Sequence, residues 1–118
     1  SSMNYEELIK KAEKEYDSFS LVWRDGFKFN KKAKLIREKL NAYQVKEERT
    51  NEWPGTKILK GLATVRHYKV SPQSLEVLHS VSSFKEWLAP NYPEDLAFYK
   101  DGSIAYVSIA HENEEWFE

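Results

Sequence analysis

The sequence contains no cysteine, one methionine and only four glycines in 118 residues. Without cysteine the chain has no disulfide framework, no thiolate zinc site and no cysteine nucleophile. The glycines are isolated from one another, so they form neither a phosphate-binding loop nor a dinucleotide fingerprint. These absences exclude several classes of enzyme and leave the burial of apolar side chains as the main source of stability.

Long apolar runs and a secretion signal are also missing. No basic stretch precedes an apolar segment near the N-terminus, and no segment is apolar for long enough to span a bilayer. Because the chain also lacks the disulfides of secreted proteins, we expect a cytoplasmic protein with no membrane partner. Residues 1–3, Ser1-Ser2-Met3, are interpreted as an expression scar followed by the native start.

The composition that remains is typical of a globular protein, with 41% apolar, 14% aromatic and 31% charged residues. Four tryptophans, seven tyrosines and six phenylalanines supply much of the material for a core. A second core would leave each half of the chain small and marginally stable. Residues 4–118 are therefore predicted to form a single domain.

Charge is unevenly distributed, although the net charge is only −1. Residues 10–39 contain ten Lys and Arg against five Asp and Glu, which gives +5. The last eight residues contain four glutamates and neither lysine nor arginine, which gives −4. Such asymmetry can mark a surface for a partner, and it is equally compatible with a solvated helix and an acidic tail.

Two amphipathic helices are predicted in the first half of the chain. Residues 5–16 place their apolar side chains on one face, and Asn4 with Glu7 gives the capping-box pattern. A second helix is predicted from Asn30 to about Tyr43. Its lysines and arginines are spread so widely that they are typical of a solvated face; they are Lys31, Lys32, Lys34, Arg37 and Lys39.

The segment 19–29 allows two interpretations. Asp25-Gly26 suits a tight turn, so the segment could form a short hairpin. Two such short strands would make an isolated ribbon with little stability. We therefore predict a loop that packs Trp23 and Phe27 onto the core.

Strand and helix signals alternate in the second half of the chain. Residues 43–51 contain few apolar side chains and predict an edge strand, whereas the β-branched and aromatic residues of 62–70 predict a more buried strand. Ser71-Pro72 begins a helix, and residues 83–88 begin another with a capping box.

The clearest predicted element is a β-hairpin over residues 95–110. Asp101-Gly102 lies between two apolar, strand-like runs and gives the strongest hairpin signal in the chain. The runs are apolar at successive positions, so the hairpin is predicted to lie centrally in the sheet. The order of elements predicts an α+β fold, with an antiparallel sheet of about four strands and helices packed against it.

The three histidines, at positions 67, 79 and 111, do not form a metal-binding pattern. No two of them are spaced four apart on a helix. His111 and Glu112 are neighbours, and on a strand they would point to opposite faces. We predict no metal site and no cofactor.

Two further constellations contain residue types suited to catalysis. Arg66, His67 and Tyr68, together with His111, could provide acid–base groups for RNA cleavage if the strand register brought the histidines together. Structural roles are the favoured interpretation for all four. We therefore predict no catalytic residue and a protein that is not an enzyme.

Glu94-Asp95 form an adjacent acidic pair at the start of the predicted hairpin. A catalytic pair of carboxylates needs facing groups rather than sequence neighbours. The favoured interpretation is structural: Asp95 accepts hydrogen bonds from local backbone amides and shapes the entry of the loop.

The C-terminal segment 111–118 combines four glutamates with Trp116 and Phe117. An acidic rim around aromatic anchors is typical of a surface that binds a basic protein. Alternatively, the two aromatic rings pack into the core and the glutamates are merely solvated. The predicted partner-binding residues are His111, Glu112, Glu114, Glu115 and Trp116.

A longer pattern runs through the hairpin, from Pro93 to Gly102 and from Ser108 to Glu112. It reads P-E-D-L-x-F-[FY]-x-x-G, followed by a strand that ends in S-x-x-H-E. This pattern resembles small bacterial immunity proteins, the cytoplasmic antitoxins encoded beside secreted polymorphic or contact-dependent growth-inhibition toxins, particularly in Bacillus-type bacteria. It covers about a fifth of the chain and describes mainly a hairpin and its entry.

The resemblance implies a protein that binds one cognate toxin domain, often a nuclease, and blocks its active site without catalysis. Nuclease clefts are basic because they attract phosphates, so an acidic protein surface can occupy them. The basic segment 10–39 would then have to face away from the toxin.

The alternative hypothesis is a small RNA-binding or RNA-processing domain that uses the basic second helix. In it, Trp23, Phe27 and Phe29 would stack on bases, and removing lysines and arginines of the helix would abolish salt-dependent binding. Binding of nucleic acid is the less favoured hypothesis.

Overall fold

The computed structural model describes residues 4–118, so the interpretation of residues 1–3 as a scar lies outside the described residues. Three helices are present: α1 (Tyr5–Glu15), α2 (Lys31–Leu40) and α3 (Pro72–Leu78). The strands are β1 (Ser18–Arg24), β2 (Gln44–Thr50), β3 (Glu52–Trp53), β4 (Thr56–Lys57), β5 (Ala63–Lys69), β6 (Glu94–Lys100), β7 (Ser103–Ile109) and β8 (Glu114–Phe117). Short 3-10 turns occupy Asn41–Tyr43, Phe84–Glu86 and Ala110–Glu112.

Six strands form one antiparallel sheet in the order β2-β5-β1-β6-β7-β8, and β3 and β4 form a separate two-stranded ribbon. The predicted α+β class is confirmed, but the sheet is larger than the predicted four strands. The additional strands are β1 at its centre and β8 at one edge. The segment of β1 was predicted to be a loop, and the segment of β8 was predicted to be an acidic tail.

The prediction of a loop over residues 19–29 is wrong for its first half. β1 pairs with both β5 and β6, and its residues 19–23 are buried. A ribbon made from this segment alone would be unstable, but β1 obtains both neighbours from distant parts of the chain. Asp25-Gly26 forms the turn that follows β1, and the chain then runs without regular structure to Asn30.

The predicted helix boundaries are confirmed closely where a cap defines them. The Asn4 side chain accepts a hydrogen bond from the Glu7 amide at 2.8 Å, and the Asn4 amide group donates to the Glu7 carboxylate at 2.7 Å. Ser71 caps α3 in the same reciprocal way with Ser74. The prediction extended α2 too far, since it ends at Leu40, and residues 83–88 contain only one 3-10 turn.

An aromatic row crosses the helix-covered face of the sheet. Tyr68, Phe19, Phe98, Tyr106 and Phe117 lie on successive strands from β5 to β8, with ring centroids 5.3, 5.9, 6.0 and 5.3 Å apart. Tilted rings at such distances stabilise each other beyond the area that they bury. The row places β8 in register with the core, although its last ring, Phe117, is 43% exposed.

The opposite face of the sheet is covered by the segment 51–62, which contains β3 and β4 and is called the cover segment below. Trp53 is buried against Val22 and Val65, with Ile58 beside them. The backbone of Gly55 approaches β7 so closely that an added Cβ would lie 2.9 Å from the Val107 Cγ1 atom, and its φ of +86° suits glycine. The cover segment therefore shields Val22, Val65 and Val107 from solvent on this face of the sheet.

The hairpin prediction is confirmed. β6 and β7 pair around Asp101-Gly102, both of which have positive φ. Within residues 4–118, no helix is long and apolar enough to cross a membrane.

Candidate functional site

The predicted partner-binding residues lie on β8 and on the 3-10 turn that precedes it. Asn113 has the left-handed backbone conformation, with φ of 58° and ψ of 39°, and this reverses the chain after the turn. β8 then returns antiparallel to β7 and forms the outer strand of the sheet. A segment predicted as an acidic tail is therefore an ordered edge strand.

Alternation along β8 divides its side chains between the two faces of the sheet. Phe117 pairs with Tyr106 and shares the helix-covered face with Glu115. Glu114 and Trp116 consequently point to the face that carries the cover segment. The five predicted residues are close together in space, but they do not form one flat surface.

Two of these side chains are held by hydrogen bonds. The Tyr106 hydroxyl donates to Glu115 Oε1 at 2.7 Å, and the Trp116 indole donates to Glu118 Oε2 at 2.6 Å. Burial raises the pKa of the Tyr106 hydroxyl, and the carboxylate of Glu115 raises it further. The hydroxyl therefore stays protonated and fixes the position of Glu115.

The structure combines both interpretations of the two terminal aromatic residues. Phe117 packs on Tyr106, and the ammonium group of Lys11 lies 5.6 Å from its ring centroid. Trp116 is half-buried, so part of its indole remains at the surface. Phe117 ends the aromatic row but is 43% exposed, and Trp116 is half-buried, so a partner can reach part of both rings.

His111 and Glu112 lie on the 3-10 turn rather than on a strand, which changes the predicted geometry. Their side chains do not point apart, since His111 Nε2 is 3.7 Å from Glu112 Oε2. Both side chains are about half exposed. They lie on the turn that connects β7 to β8 and extend the acidic surface of β8 beyond the strand.

An open groove of about 520 Å³ runs beside β8. It is lined on one side by Glu114, Glu115 and Trp116, and on the other by Phe84 and Lys85. No sequence pattern links residues 84–85 to the C-terminal segment. We define the acidic edge as His111, Glu112, Glu114, Glu115 and Trp116, with this groove beside it.

The acidic pair Glu94-Asp95 is structural, and each carboxylate has its own partners. Asp95 accepts from the Ala110 amide at 3.1 Å and from the Trp53 indole at 2.9 Å. Burial raises the pKa of Asp95, and these hydrogen bonds oppose the rise. The expected bond to a backbone amide is present, but this amide belongs to the turn after β7 rather than to the local loop.

Glu94 forms a buried ion pair that no sequence pattern predicts. Its Oε1 atom is 3.0 Å from the Nε atom of Arg24. Burial raises the pKa of Glu94, and the charge of Arg24 opposes the rise. Arg24 also lies over the rings of Phe27 and Trp53, at 5.4 and 5.2 Å from their centroids.

The possible acid–base constellation is not assembled. His67 points to the face that carries the cover segment, whereas its neighbours Arg66 and Tyr68 point to the helix-covered face. His111 follows β7, and the strands β1 and β6 separate β7 from β5. The two histidines therefore do not meet. Among residues 4–118, no cluster of three or more His, Asp or Glu side chains is arranged to hold a metal.

His67 instead belongs to a small polar cluster on the sheet. Its Nε2 atom is 3.1 Å from Glu48 Oε2, and its ring lies 5.2 Å from that of Tyr99. The Tyr99 hydroxyl in turn is 2.9 Å from the Ser20 hydroxyl. Burial lowers the pKa of His67 below 6.5, against the opposing effect of Glu48.

The lowered pKa of His67 predicts a specific dependence of stability on pH. As the pH falls below 6.5, the unfolded chain binds a proton that the folded histidine resists, so unfolding becomes easier. A His67→Gln variant lacks this proton and is expected to lose less stability than the wild type between neutral and mildly acidic pH. Urea denaturation at a series of pH values measures the difference, and parallel losses in the two proteins would contradict the prediction.

The aromatic residues of the RNA hypothesis are engaged within the fold. Trp23 is buried, and Phe29 packs edge-on against it with a centroid distance of 5.0 Å. Phe27 is partly covered by the guanidinium of Arg24. The cations of α2 are exposed, but these rings do not form an open stacking platform next to them.

Comparison with protein-family models, with curated proteins and with solved structures gave no match to this chain. The likeness to immunity proteins therefore stays a prediction from the sequence pattern of the hairpin. The class that the structure itself defines is an α+β domain with an acidic edge strand.

Proposed function

We propose that this chain is an immunity protein, which binds a cognate toxin domain one-to-one and neutralises it without catalysis. The observation that carries the proposal is the unneutralised charge of the acidic edge. In the part of the chain that the structure describes, Glu112, Glu114, Glu115 and Glu118 have no lysine or arginine within ion-pair distance. Elsewhere some carboxylates are paired with arginine, as in Arg24–Glu94 and Arg49–Asp25, whereas others, such as Glu38 and Glu76, have no ion pair among the described residues.

One part of the basic segment, around Arg37 of α2, is placed as this proposal requires, whereas the part in α1 lies beside β8. α1 lies near β8, since Lys11 contacts Phe117, whereas α2 is next to β5, since the charge of Arg37 acts on Arg66. β5 and β8 are separated by three strands. Arg37 is therefore distant from the acidic edge, whereas Lys32 lines a surface pocket with Lys85, the residue that also lines the groove beside that edge.

A basic toxin domain fits the edge for two physical reasons. Opposite charge accelerates diffusional encounter, and a desolvated aromatic ring near the centre of an interface holds the complex together. The glutamates supply the first property and the surface part of Trp116 the second. A nuclease is a suitable partner because its substrate cleft must be basic.

Reversing two charges of the acidic edge is expected to slow toxin binding. The variant Glu112→Lys/Glu114→Lys leaves Glu115 and its bond to Tyr106 intact, so the fold is not disturbed. We expect the association rate with the product of the adjacent gene to fall by about tenfold or more at low salt, because electrostatic steering is lost. Surface plasmon resonance at two ionic strengths measures this change.

The matched control is Glu38→Lys/Glu76→Lys, which alters net charge equally on the exposed surfaces of α2 and α3. It should bind almost as fast as the wild type. Equal slowing in both variants would show a general charge effect and would remove the acidic edge from the interface. If the product of the adjacent gene does not co-purify with the wild type, the proposed function fails.

The second candidate is an RNA-binding domain that uses α2. The observation in its favour is the exposure of all five lysines and arginines of that helix. Such a surface binds phosphates in a salt-dependent manner. Purification at low salt separates the two candidates, because an immunity protein retains its toxin whereas an RNA-binding domain retains RNA.

A further inference from the structure

The backbone of β8 forms a free edge of the six-stranded sheet. Among the strands described, β7 is its only neighbour, because β8 ends the strand order. The two strands pair in register without a bulge, and the ladder continues to Glu118, whose amide donates to the Ala105 carbonyl at 2.9 Å. An edge of this kind presents backbone amides and carbonyls to which another extended chain can add.

The alternation of the ladder identifies the outward backbone groups of β8. In an antiparallel pair, residues that exchange hydrogen bonds alternate with residues whose backbone groups point away from the partner strand. Glu118 bonds to β7, so the backbone groups of Trp116 and Glu114 also point to β7. Those of Glu115 and Phe117 therefore point outward, to the side on which the described part of the chain has no strand.

Space for an extended chain exists beside the strand. The groove of about 520 Å³ separates β8 from the turn at Phe84–Glu86. A second hollow, of about 250 Å³, shares Glu115 with this groove and continues to the start of α1. A chain that added to β8 would therefore lie between the strand and segments that already form the walls of a groove.

The other edge of the sheet, β2, is less suited to pairing. Its register with β5 shifts between Gln44 and Lys46, and the side chains of Glu48 and Arg49 are engaged by partners within the fold. Bulges and charged side chains are features that keep an edge strand from pairing with another chain. β8 has no bulge, and its charged side chains are all acidic, so it remains open to a chain of opposite charge.

Charge determines which chain can add to β8. Two cations lie nearby, Lys11 beside Phe117 and Lys85 in the groove, but the four glutamates of residues 112–118 outnumber them. A second copy of this chain would bring two such sets of glutamates together, and like charges on neighbouring strands are destabilising. Lysine or arginine next to these glutamates would instead stabilise the pair of strands.

We infer that a basic, extended segment of the toxin adds to β8 as a further strand and bonds to the outward backbone groups of Glu115 and Phe117. This inference rests on the proposed function and specifies how the partner is held. Main-chain hydrogen bonds supply affinity in such complexes, and alternate side chains supply specificity. Alternate side chains of the added strand would lie next to Glu115 on one face and next to Glu114 and Trp116 on the other.

Amide hydrogen exchange of the full chain tests this arrangement. In the complex with the product of the adjacent gene, the amides of Glu115 and Phe117 should exchange about tenfold or more slowly than in the free protein. The amides of β2, at the opposite edge, should keep their rates and serve as the control. If the toxin binds and the two amides of β8 exchange as fast as before, strand addition is wrong although the proposed function stands.

Two substitutions at one position test the hydrogen bond itself. Phe117→Ala removes the ring, whereas Phe117→Pro removes the ring and the outward amide. Proline is tolerated on an edge strand where the N–H would face solvent. We expect the proline variant to bind the toxin about tenfold or more weakly than the alanine variant, a difference of ~1.4 kcal/mol. Equal affinities of two variants with equal denaturation midpoints would overturn the inference.

A synthetic peptide tests the edge without the toxin. A blocked peptide of alternating lysine and valine should shift the amide signals of Glu115 and Phe117 saturably in a ¹H–¹⁵N spectrum. The same peptide with N-methylated valines cannot complete the ladder and should bind more weakly, and equal binding of the two peptides would overturn the inference.

The remaining outcomes separate the two proposals. If the lysine peptide gives these shifts but the product of the adjacent gene does not co-purify, the proposed function fails while β8 is still a site for a basic strand. If the free protein dimerises in sedimentation equilibrium and the dimer protects the same two amides, a second copy occupies the edge and the inference is wrong.

Discussion

Replacing Arg24 with methionine is expected to lower the free energy of unfolding by ~3–5 kcal/mol, because it leaves a buried carboxylate without its counter-ion. Glu94 is 3% exposed, and Arg24 is its cationic partner at 3.0 Å. Methionine keeps most of the length of the side chain that lies between Phe27 and Trp53. The loss should therefore reflect charge more than volume. Chemical denaturation at neutral pH measures it.

The pH dependence and a double variant identify the cause of this loss. The pKa of Glu94 is already raised by burial, so in the variant the carboxyl takes up a proton as the pH falls and the loss should shrink. Arg24→Met/Glu94→Gln removes both charges and should recover much of the stability. If the double variant is as unstable as Arg24→Met at every pH, the loss comes from packing and the ion-pair explanation is wrong.

Truncating Trp53 to alanine is expected to cost ~3–5 kcal/mol, the usual range for a large buried aromatic side chain. The indole is the main apolar contact between the cover segment and the sheet, where it meets Val22 and Val65. Its N–H also satisfies Asp95, a buried carboxyl group. Without the indole, a cavity remains beside Val22 and Val65, and Asp95 loses one of its hydrogen-bond donors. Urea denaturation gives the difference.

Two variants separate the contributions of Trp53. Trp53→Phe keeps an aromatic cover but loses the bond to Asp95 and part of the ring, so we expect a smaller loss of ~1–3 kcal/mol. Leu59→Ala alters a side chain of the same segment that is 100% exposed, and it should leave stability unchanged. A Trp53→Ala protein as stable as the wild type would show that the cover segment contributes nothing to the core.

The parts of the fold that were predicted correctly depend on short-range chemistry. Asn4 and Ser71 cap their helices through atoms three residues away, and Asp101-Gly102 supplies the positive φ values that its turn needs. Each cap and turn is formed by residues that are only a few positions apart. They were therefore readable without knowledge of the rest of the chain.

The missed strands depend on distant partners. β1 has five successive buried residues because β5 and β6 flank it and the sheet is covered on both faces, which the segment itself cannot reveal. The instability of a short ribbon argues only against a hairpin formed within residues 19–29, and the predicted loop does not follow from it. A run such as Ser18–Arg24, apolar at successive positions, is better interpreted as a central strand.

The candidate site was partly predictable. The residues of the acidic edge are close together in the sequence, so their composition alone predicts an acidic, aromatic surface. The strand pairing of β8, the bond that fixes Glu115 and the groove with Lys85 follow from tertiary contacts with β7, Tyr106 and the 3-10 turn at Phe84–Glu86. Alternation then divides the glutamates between two faces, which composition cannot show.

The central position of β1 also has a kinetic consequence. All the residues with which it pairs lie beyond residue 62, so its ladders close long loops of chain before any contact is gained. The β6–β7 hairpin, by contrast, closes across Asp101-Gly102 and can form on the microsecond timescale. We expect this hairpin to be an early structure in folding. Insertion of β1 between β5 and β6 would then be the slow step that commits the chain to its final topology.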